Sequence, residues 1–304
     1  MTSILTNGAA MAALQTLRSI NDNLEFTQNA VSSGYRVSKA ADNAAYWSIA
    51  TTMRSDNSAL SAVSDALGLG AAKVDTAYSA MDSAIDVISE IKSKLTAAVE
   101  DGVDKTKVQE EVSQLQQQLL SIAQSASFSG ENWVAGSGGK SVVSSFVRSA
   151  NGQVSVQTTP YDLDPSSVGN VLFGVDAVTG QIDTTSGIIG STTSGLGSVF
   201  NMNIAAMTSG DIQTALTMVE NALAATTAAA SQLGSISNRI DLQTSFVSAL
   251  SDSIDSGVGK LVDADMEEES SKLSALQTQQ QLAIQSLQIA NNSAQNVLSL
   301  FHGN

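Results

Sequence analysis

The sequence predicts a mainly α protein: a long antiparallel helical hairpin, or coiled-coil rod, with its N- and C-terminal helices paired and a small β-rich insert at the centre of the chain. Three observations predict it. Apolar residues recur at spacings of three and four through both outer parts of the chain, the period of a helix face. One such seam runs without pause from Ile49 to Val99, far longer than a globular helix needs. Between the outer parts lies a stretch rich in Gly, Ser and Thr that holds both prolines, Pro160 and Pro165.

Taken in order, the first seam is Ile4, Met11, Leu14, Leu17, Ile20, Leu24 and Val31. Ser32, Ser33 and Gly34 end it, because Gly just past a helix takes the left-handed conformation without a Cβ clash. After a short link the long seam takes Ile49, Met53, Leu60, Val63, Leu67, Val74, Tyr78, Met81, Ile85, Ile88, Leu95 and Val99. Asp42 or Asn43 is placed to cap it, and at 1.5 Å per residue it would extend roughly 75 Å. Gly68 and Gly70 fall inside and weigh against perfect continuity. The turn at Asp101-Gly102 leads to a shorter helix on Val108, Val112, Leu115, Leu119 and Ile122, which folds back along the first.

Inside the insert, SVVSSFVRSANGQVSVQTT reads as two β-type runs around Asn151-Gly152, the pair that tight type I′ hairpins prefer. Helical spacing resumes with Ile212, Leu216, Val219, Leu223, Ala230, Leu233, Ile236, Ile240, Val247, Leu250 and Ile254. The last seam is Met266, Leu273, Leu276, Ala283, Leu287, Ala290, Ala294, Val297 and Phe301. The C-terminal helices are expected to return antiparallel to the N-terminal ones, so that the termini meet at one end and the insert caps the other.

Composition bounds the function. At 304 residues and 42% hydrophobic content a substantial core can form. Only 14% of residues are charged against about 25% in an ordinary soluble domain, so much of the surface is Ser, Thr, Asn, Gln and Ala, which gives up water easily. A net charge of -15 speaks against nucleic acid and anionic membranes as partners, since both need clustered Lys and Arg. There is no cysteine, which excludes disulfides, thiol nucleophiles and Cys-based zinc sites. No stretch reaches the roughly 18 apolar residues of a membrane span, and the N-terminus lacks the pattern of a cleavable signal peptide.

The last helix is the most informative element. From Leu273 to Asn304 it carries no ionised side chain, whereas a solvent-facing helix carries Glu and Lys on its outer side. A stripe bordered by Gln, Asn and Ser suits a face that other protein covers, because buried charge without a partner would cost several kcal/mol. The terminal seams are therefore expected to be assembly faces, through Ile4, Met11, Leu14, Leu17, Leu24 and Val31 on one helix and Leu273, Leu276, Leu287, Ala294, Val297 and Phe301 on the other. Alone, such helices bury too little apolar area to offset their ordering cost.

Two stretches carry a family resemblance. SSGYRVSKAADNAAYWSIATTMRSD, from Ser32 to Asp56, resembles the N-terminal signature of bacterial flagellins, a Ser-Ser-Gly, an Arg and a Lys-Asp-Asp-Ala-Ala before a helix. LVDADMEEESSKLSALQTQQQLAIQSLQIANNSAQNVLSLF, from Leu261 to Phe301, resembles the matching C-terminal signature, and FSGENWV resembles the family's turn out of its first helical pair. The resemblance implies the structural subunit of the extracellular flagellar filament used for swimming, a homopolymer that also admits other flagellins. It implies export without a cleaved signal peptide through the flagellar type III apparatus, with a chaperone, hook-associated proteins and a cap as partners. It further implies three parts: a terminal coiled-coil domain of residues 1–38 and 262–304 around the central channel, a helical rod domain of 39–134 and 204–261 in the outer tube, and a variable surface domain of 135–203.

Where the family commonly has Gly-Leu, this chain has Tyr46 and Trp47, and Ala41 and Asn43 replace more acidic or charged neighbours of Asp42. The two aromatics either enlarge a subunit contact or fill a pocket within the subunit. Arg36 and Arg54 are placed either for intersubunit pairs or for contacts inside the chain.

No catalytic, cofactor or metal site is expected. His302 is the only histidine and has no companion ligands. The acidic run Asp263, Asp265, Glu267, Glu268 and Glu269 precedes the last helix and suits its N-terminus. GSGGKS resembles a phosphate loop, but that motif needs Gly where Val134 stands. No His-Glu-x-x-His occurs. The rival expectations are a hook-filament junction protein, which shares the terminal signatures, and a secreted coiled-coil adhesin whose function would sit in residues 135–203.

Overall fold

The computed structural model describes residues 7–302 apart from 101, 150, 152, 177, 193 and 194; for 293–302 it describes the backbone alone. In chain order the elements are α1 (Gly8–Ser33), α2 (Ala44–Ala98), α3 (Lys105–Ser125), β1 (Ser127–Phe128), β2 (Glu131–Asn132), β3 (Gly138–Arg148), β4 (Val154–Leu163), β5 (Gly174–Val175), β6 (Ile182–Asp183), α4 (Gly187–Gly190), a 3-10 turn (Ile204–Ala206), α5 (Ser209–Val262) and α6 (Met266–His302). The mainly α expectation holds, and each long seam coincides with one helix. The chain divides into two compact units, one of residues 1–58 with 251–304 and the other of 59–250.

Helix boundaries follow local chemistry. Asn7 caps α1 by accepting from the Ala10 amide, and Gly34 ends it with φ 75°, returning its N–H to the Ala30 carbonyl. Of the two capping candidates for α2 the structure selects Asn43, whose Oδ1 accepts from the Ala45 and Tyr46 amides. Thr208 and Asp211 bond reciprocally at the start of α5, a capping box. Asp265 accepts from the Glu267 and Glu268 amides, so the acidic run does begin α6.

In the 59–250 unit, α2 and α5 run antiparallel, tied by Ser237 to Asp75 and by the Lys92–Glu220 ion pair. α3 packs beside them through Lys94–Glu111 at 2.6 Å. The β1–β2 hairpin turns at Ser129 and Gly130, both at positive φ as a type I′ turn requires. β3 and β4 form the anticipated antiparallel hairpin, with a bulge between Val143 and Ser145; Gly152 of the anticipated turn lies outside the described residues.

The insert does not cap the end of the helices, as the chain layout suggested. Its hairpin lies along α2, with Val142 buried over Gly70: a Cβ at Gly70 would sit 2.2 Å from Val142 Cγ1. That close approach is why position 70, inside α2, holds a glycine, the one residue without a Cβ to meet Val142. Trp133 stacks on Tyr161 at 5.6 Å beside the Lys73–Glu131 ion pair. Residues after β4 lie along α3, where the buried Gln116 amide donates to the Val199 and Met202 carbonyls and Gln109 accepts from the Ile204 amide. Two glutamines satisfying backbone groups of an irregular segment hold the insert down, a feature invisible to hydrophobic periodicity.

Candidate assembly interface

The 1–58 and 251–304 unit is built on α1 and α6, which pair antiparallel. Asn7 Nδ2 donates to the Ala290 carbonyl at 2.9 Å, Gln280 Nε2 donates to Asn21 Oδ1 at 2.7 Å, and Lys272 Nζ stands 6.0 Å from the Phe26 ring centre. The inward residues of α1 are Ala10, Ala13, Leu17, Ile20, Leu24, Thr27 and Val31, alternating steps of three and four; those of α6 are Glu269, Leu273, Leu276, Gln280, Ala283, Leu287 and Ala290 with the same alternation. Both are heptad seams.

The structure separates the predicted interface residues into two sets. Leu17, Leu24 and Val31 are half-buried on the α1 seam, as are Leu273 and Leu287 on that of α6, and Leu276 is buried. Met11 and Leu14 turn away from the seam, Met11 being 61% exposed. The single α1 stripe expected from large apolar residues is thus corrected: small Ala10, Ala13 and Thr27 complete the inward face, while Met11 and Leu14 form part of an outward one. A strict heptad count that admitted Ala and Thr would have found this. Ile4 lies outside the described residues, as do the side chains of Ala294, Val297 and Phe301.

This seam is thinly packed. Within α1 only Thr27 and Ala30 are buried. Counting layers from Asn7 opposite Ala290 places Thr27 level with Glu269, and both Thr27 Oγ1 and Glu269 Oε2 are buried without a hydrogen-bond partner. Such atoms cost about 1–3 kcal/mol each, only partly relieved where Glu269 Oε1 meets Lys272 Nζ at 3.4 Å. Meanwhile large apolar side chains stay exposed on both helices: Phe26 on α1, and Leu282, Ile284 and Ile289 on α6, with Ile289 69% exposed. An open groove of about 430 Å³ runs between the helices, lined by Ala13, Ile20, Leu282 and Ala283 among others, with no charged residue.

At the other end of α1, the chain is pinned to the α5–α6 junction. The Arg36 and Val37 amides donate to the Val262 carbonyl, the Ala264 amide donates to that of Gly34, and Val37, Ala50, Val258 and Val262 form a small core. Arg36 donates to the Leu261 carbonyl at 3.2 Å, and the Arg54 guanidinium lies 5.0 Å over the Tyr35 ring, so both arginines make contacts inside the chain. Asp42 accepts from the Lys39 amide and from the Ser38 amide and hydroxyl; those bonds, the Lys39 amide foremost, hold its carboxyl below the usual range. Beside this braced turn Tyr46, Trp47 and Ile49 project outward, Trp47 being 37% exposed. Both aromatics are only partly covered by the unit itself.

Among the described residues no group of three or more His, Cys, Asp or Glu is placed to hold a metal ion, and no helix is long and apolar enough to cross a membrane. Paired terminal helices with a thin seam and large apolar side chains left exposed, one helix free of charge beyond Lys272, are the geometry of a self-associating structural subunit. Comparison with known proteins specifies it. The bacterial flagellin N-terminal helical region matches residues 4–138, and the flagellin C-terminal helical region matches 216–301. Flagellin C of Rhizobium meliloti (strain 1021) is 54% identical over 322 residues, covering 99% of each chain. Flagellin A of Rhizobium meliloti is 49% identical over 397 residues, covering 99% of this chain and all of the relative. A flagellin of Brucella melitensis biotype 1 is 44% identical over 309 residues, covering both chains in full. The chain belongs to the bacterial flagellin family, the structural subunits of the extracellular flagellar filament. Neither the junction protein nor the adhesin is favoured.

Proposed function

We propose that α1 and α6 are the polymerising ends of this flagellin, and that neighbouring copies cover the outward set Met11, Leu14, Phe26, Leu282, Ile284 and Ile289. The single observation that carries this is the set of large apolar side chains left exposed on each of two paired helices, one of which has no charge beyond Lys272. In the filament, residues 1–38 and 262–304 make the inner coiled coil, 39–134 and 204–261 the surrounding tube, and 135–203 the outer surface. Tyr46 and Trp47 extend the subunit contact, and Arg36 braces the turn that presents them. Family membership supports export through the flagellar type III apparatus without a cleaved signal peptide, delivery by a chaperone, contact with hook-associated and cap proteins, and co-assembly with other flagellins. No cofactor or metal takes part, and thrust comes from packed axial helices transmitting rotation.

The test places a charge on the outer face without touching the seam. Purified Met11→Asp and Leu282→Asp subunits should keep the wild-type circular dichroism spectrum yet form no long filaments by electron microscopy. Normal filaments from both variants would overturn the assignment.

A further inference from the structure

The 59–250 unit carries an unpartnered apolar face of its own. On α5, Leu242 and Phe246 are four residues apart, 73% and 59% exposed, beside the small exposed residues Ser245 and Ala249. One large exposed apolar side chain is ordinary; two adjacent ones on one helix face mark a contact. Arg239, exposed one turn before Leu242, has no ion-pair partner among the described residues.

The same unit holds a matching hollow. Where α5 crosses Tyr78 of α2, Gly234 lets the helices approach, its missing Cβ lying 3.6 Å from the Tyr78 ring. Flanking it is an open groove of about 610 Å³, lined by Tyr78, Asp82, Ile85, Ala230, Ser231 and Asn238 among others. Its one charged residue, Asp82, is exposed and also lacks an ion-pair partner among the described residues. Knob and groove lie about 18 Å apart along α5 at 1.5 Å per residue, and about a quarter turn apart around it. They therefore cannot meet within one subunit.

We propose that Leu242 and Phe246 of one copy dock into the Tyr78–Gly234 groove of the next, with Arg239 facing Asp82. The occupant is a second copy because the family builds polymers, because both surfaces are apolar and small-polar apart from one charge each, and because those charges are opposite: an unpaired Arg239 beside the knob and an unpaired Asp82 in the groove. Two different faces on one chain make a heterologous, head-to-tail contact, the kind that propagates into a helical polymer. This inference rests on the filament function, yet it names a contact separate from the terminal helices.

The test measures the critical concentration for growth on filament fragments, by sedimentation of full-length protein. Leu242→Ala with Phe246→Ala should raise it at least about tenfold, as should Ser231→Phe, which fills the groove from an exposed position; circular dichroism checks that each subunit stays folded. Arg239→Asp and Asp82→Arg should each raise it, and the two together should return it to within about twofold of wild type. Unchanged critical concentrations, or charge reversals that do not rescue each other, overturn this contact while leaving the terminal-helix assignment standing. If wild-type protein forms no filaments, both fall.

Discussion

Gly68 and Gly70 sit two residues apart in α2 and should respond to the same substitution with opposite sign. A Cβ at Gly68 meets nothing within 4 Å. Gly68→Ala therefore gains helix propensity, about 0.5–1 kcal/mol, at no steric cost. At Gly70 the new methyl would overlap Val142 Cγ1 at 2.2 Å. Val142 cannot yield cheaply: it is buried, its β-branched side chain has a stiff χ1, and its strand is held by pairing to Thr159. Overpacking of this kind costs about 1–3 kcal/mol, and the tight overlap argues for the upper half of that range. Subtracting the propensity gain leaves a net loss of about 1–2 kcal/mol. At roughly 2–4 °C per kcal/mol for a unit of this size, calorimetry on the subunit should show Tm falling roughly 2–8 °C for Gly70→Ala and rising roughly 1–4 °C for Gly68→Ala. Combining Gly70→Ala with Val142→Ala should cost less than the sum of the two, by at least about 1 kcal/mol. A Gly70→Ala subunit as stable as wild type would refute the hairpin's placement on α2.

Three further outcomes follow from the same geometry. Trp47→Ala should lower the Tm of the filament by more than it lowers that of the free subunit, because part of the Trp47 surface is left uncovered in the subunit; filaments of unchanged thermal stability would place Trp47 outside the contact. Acid should weaken the fold: Asp42, Asp183, Asp211 and Glu131 all sit below their ordinary 3.8 or 4.5, held there chiefly by the Lys39 amide, the Thr185 hydroxyl, the Thr208 hydroxyl and Lys73 respectively. A depressed carboxyl contributes stability that is full above its unfolded value and lost as pH falls through the folded one. Tm should thus hold steady down to about pH 5 and drop below about pH 4, with Lys73→Met starting lower and losing less; a flat profile to pH 2 would contradict these bonds. Finally, with no native cysteine to compete, Ala13→Cys with Ala283→Cys should form an intrachain disulfide on mild oxidation, and Ala13→Cys with Leu273→Cys should not. The reverse preference would disprove the α1–α6 register.

Much of this architecture was legible before the fold was known, because periodicity reports directly on which helix face is covered. Both long seams, the Gly34 stop, the Asn43 cap and the hairpin around Asn151 follow from local rules. The insert's position did not, since Gln116 and Gln109 hold it through backbone carbonyls and amides, and side-chain amides give no periodic signal. Gly70 was visible only as a weak point in α2; its role depends on Val142, 72 positions further along the chain. The interface was legible in part. The charge-free stretch of α6 beyond Lys272 pointed to an assembly face, but ranking α1 by large apolar residues merged an inward seam of Ala and Thr with an outward pair, Met11 and Leu14. The docking pair of α5 was passed over because Leu242 and Phe246 lie off the buried seam.

Amide hydrogen exchange of α1 and α6, measured on dilute subunits and on filaments, goes straight to the proposition that copies complete one another. Exchange within seconds to minutes in the free subunit, slowed by at least about a hundredfold in the filament, is the result expected of thin seams with two unsatisfied polar atoms. Equal and strong protection in both states would contradict it.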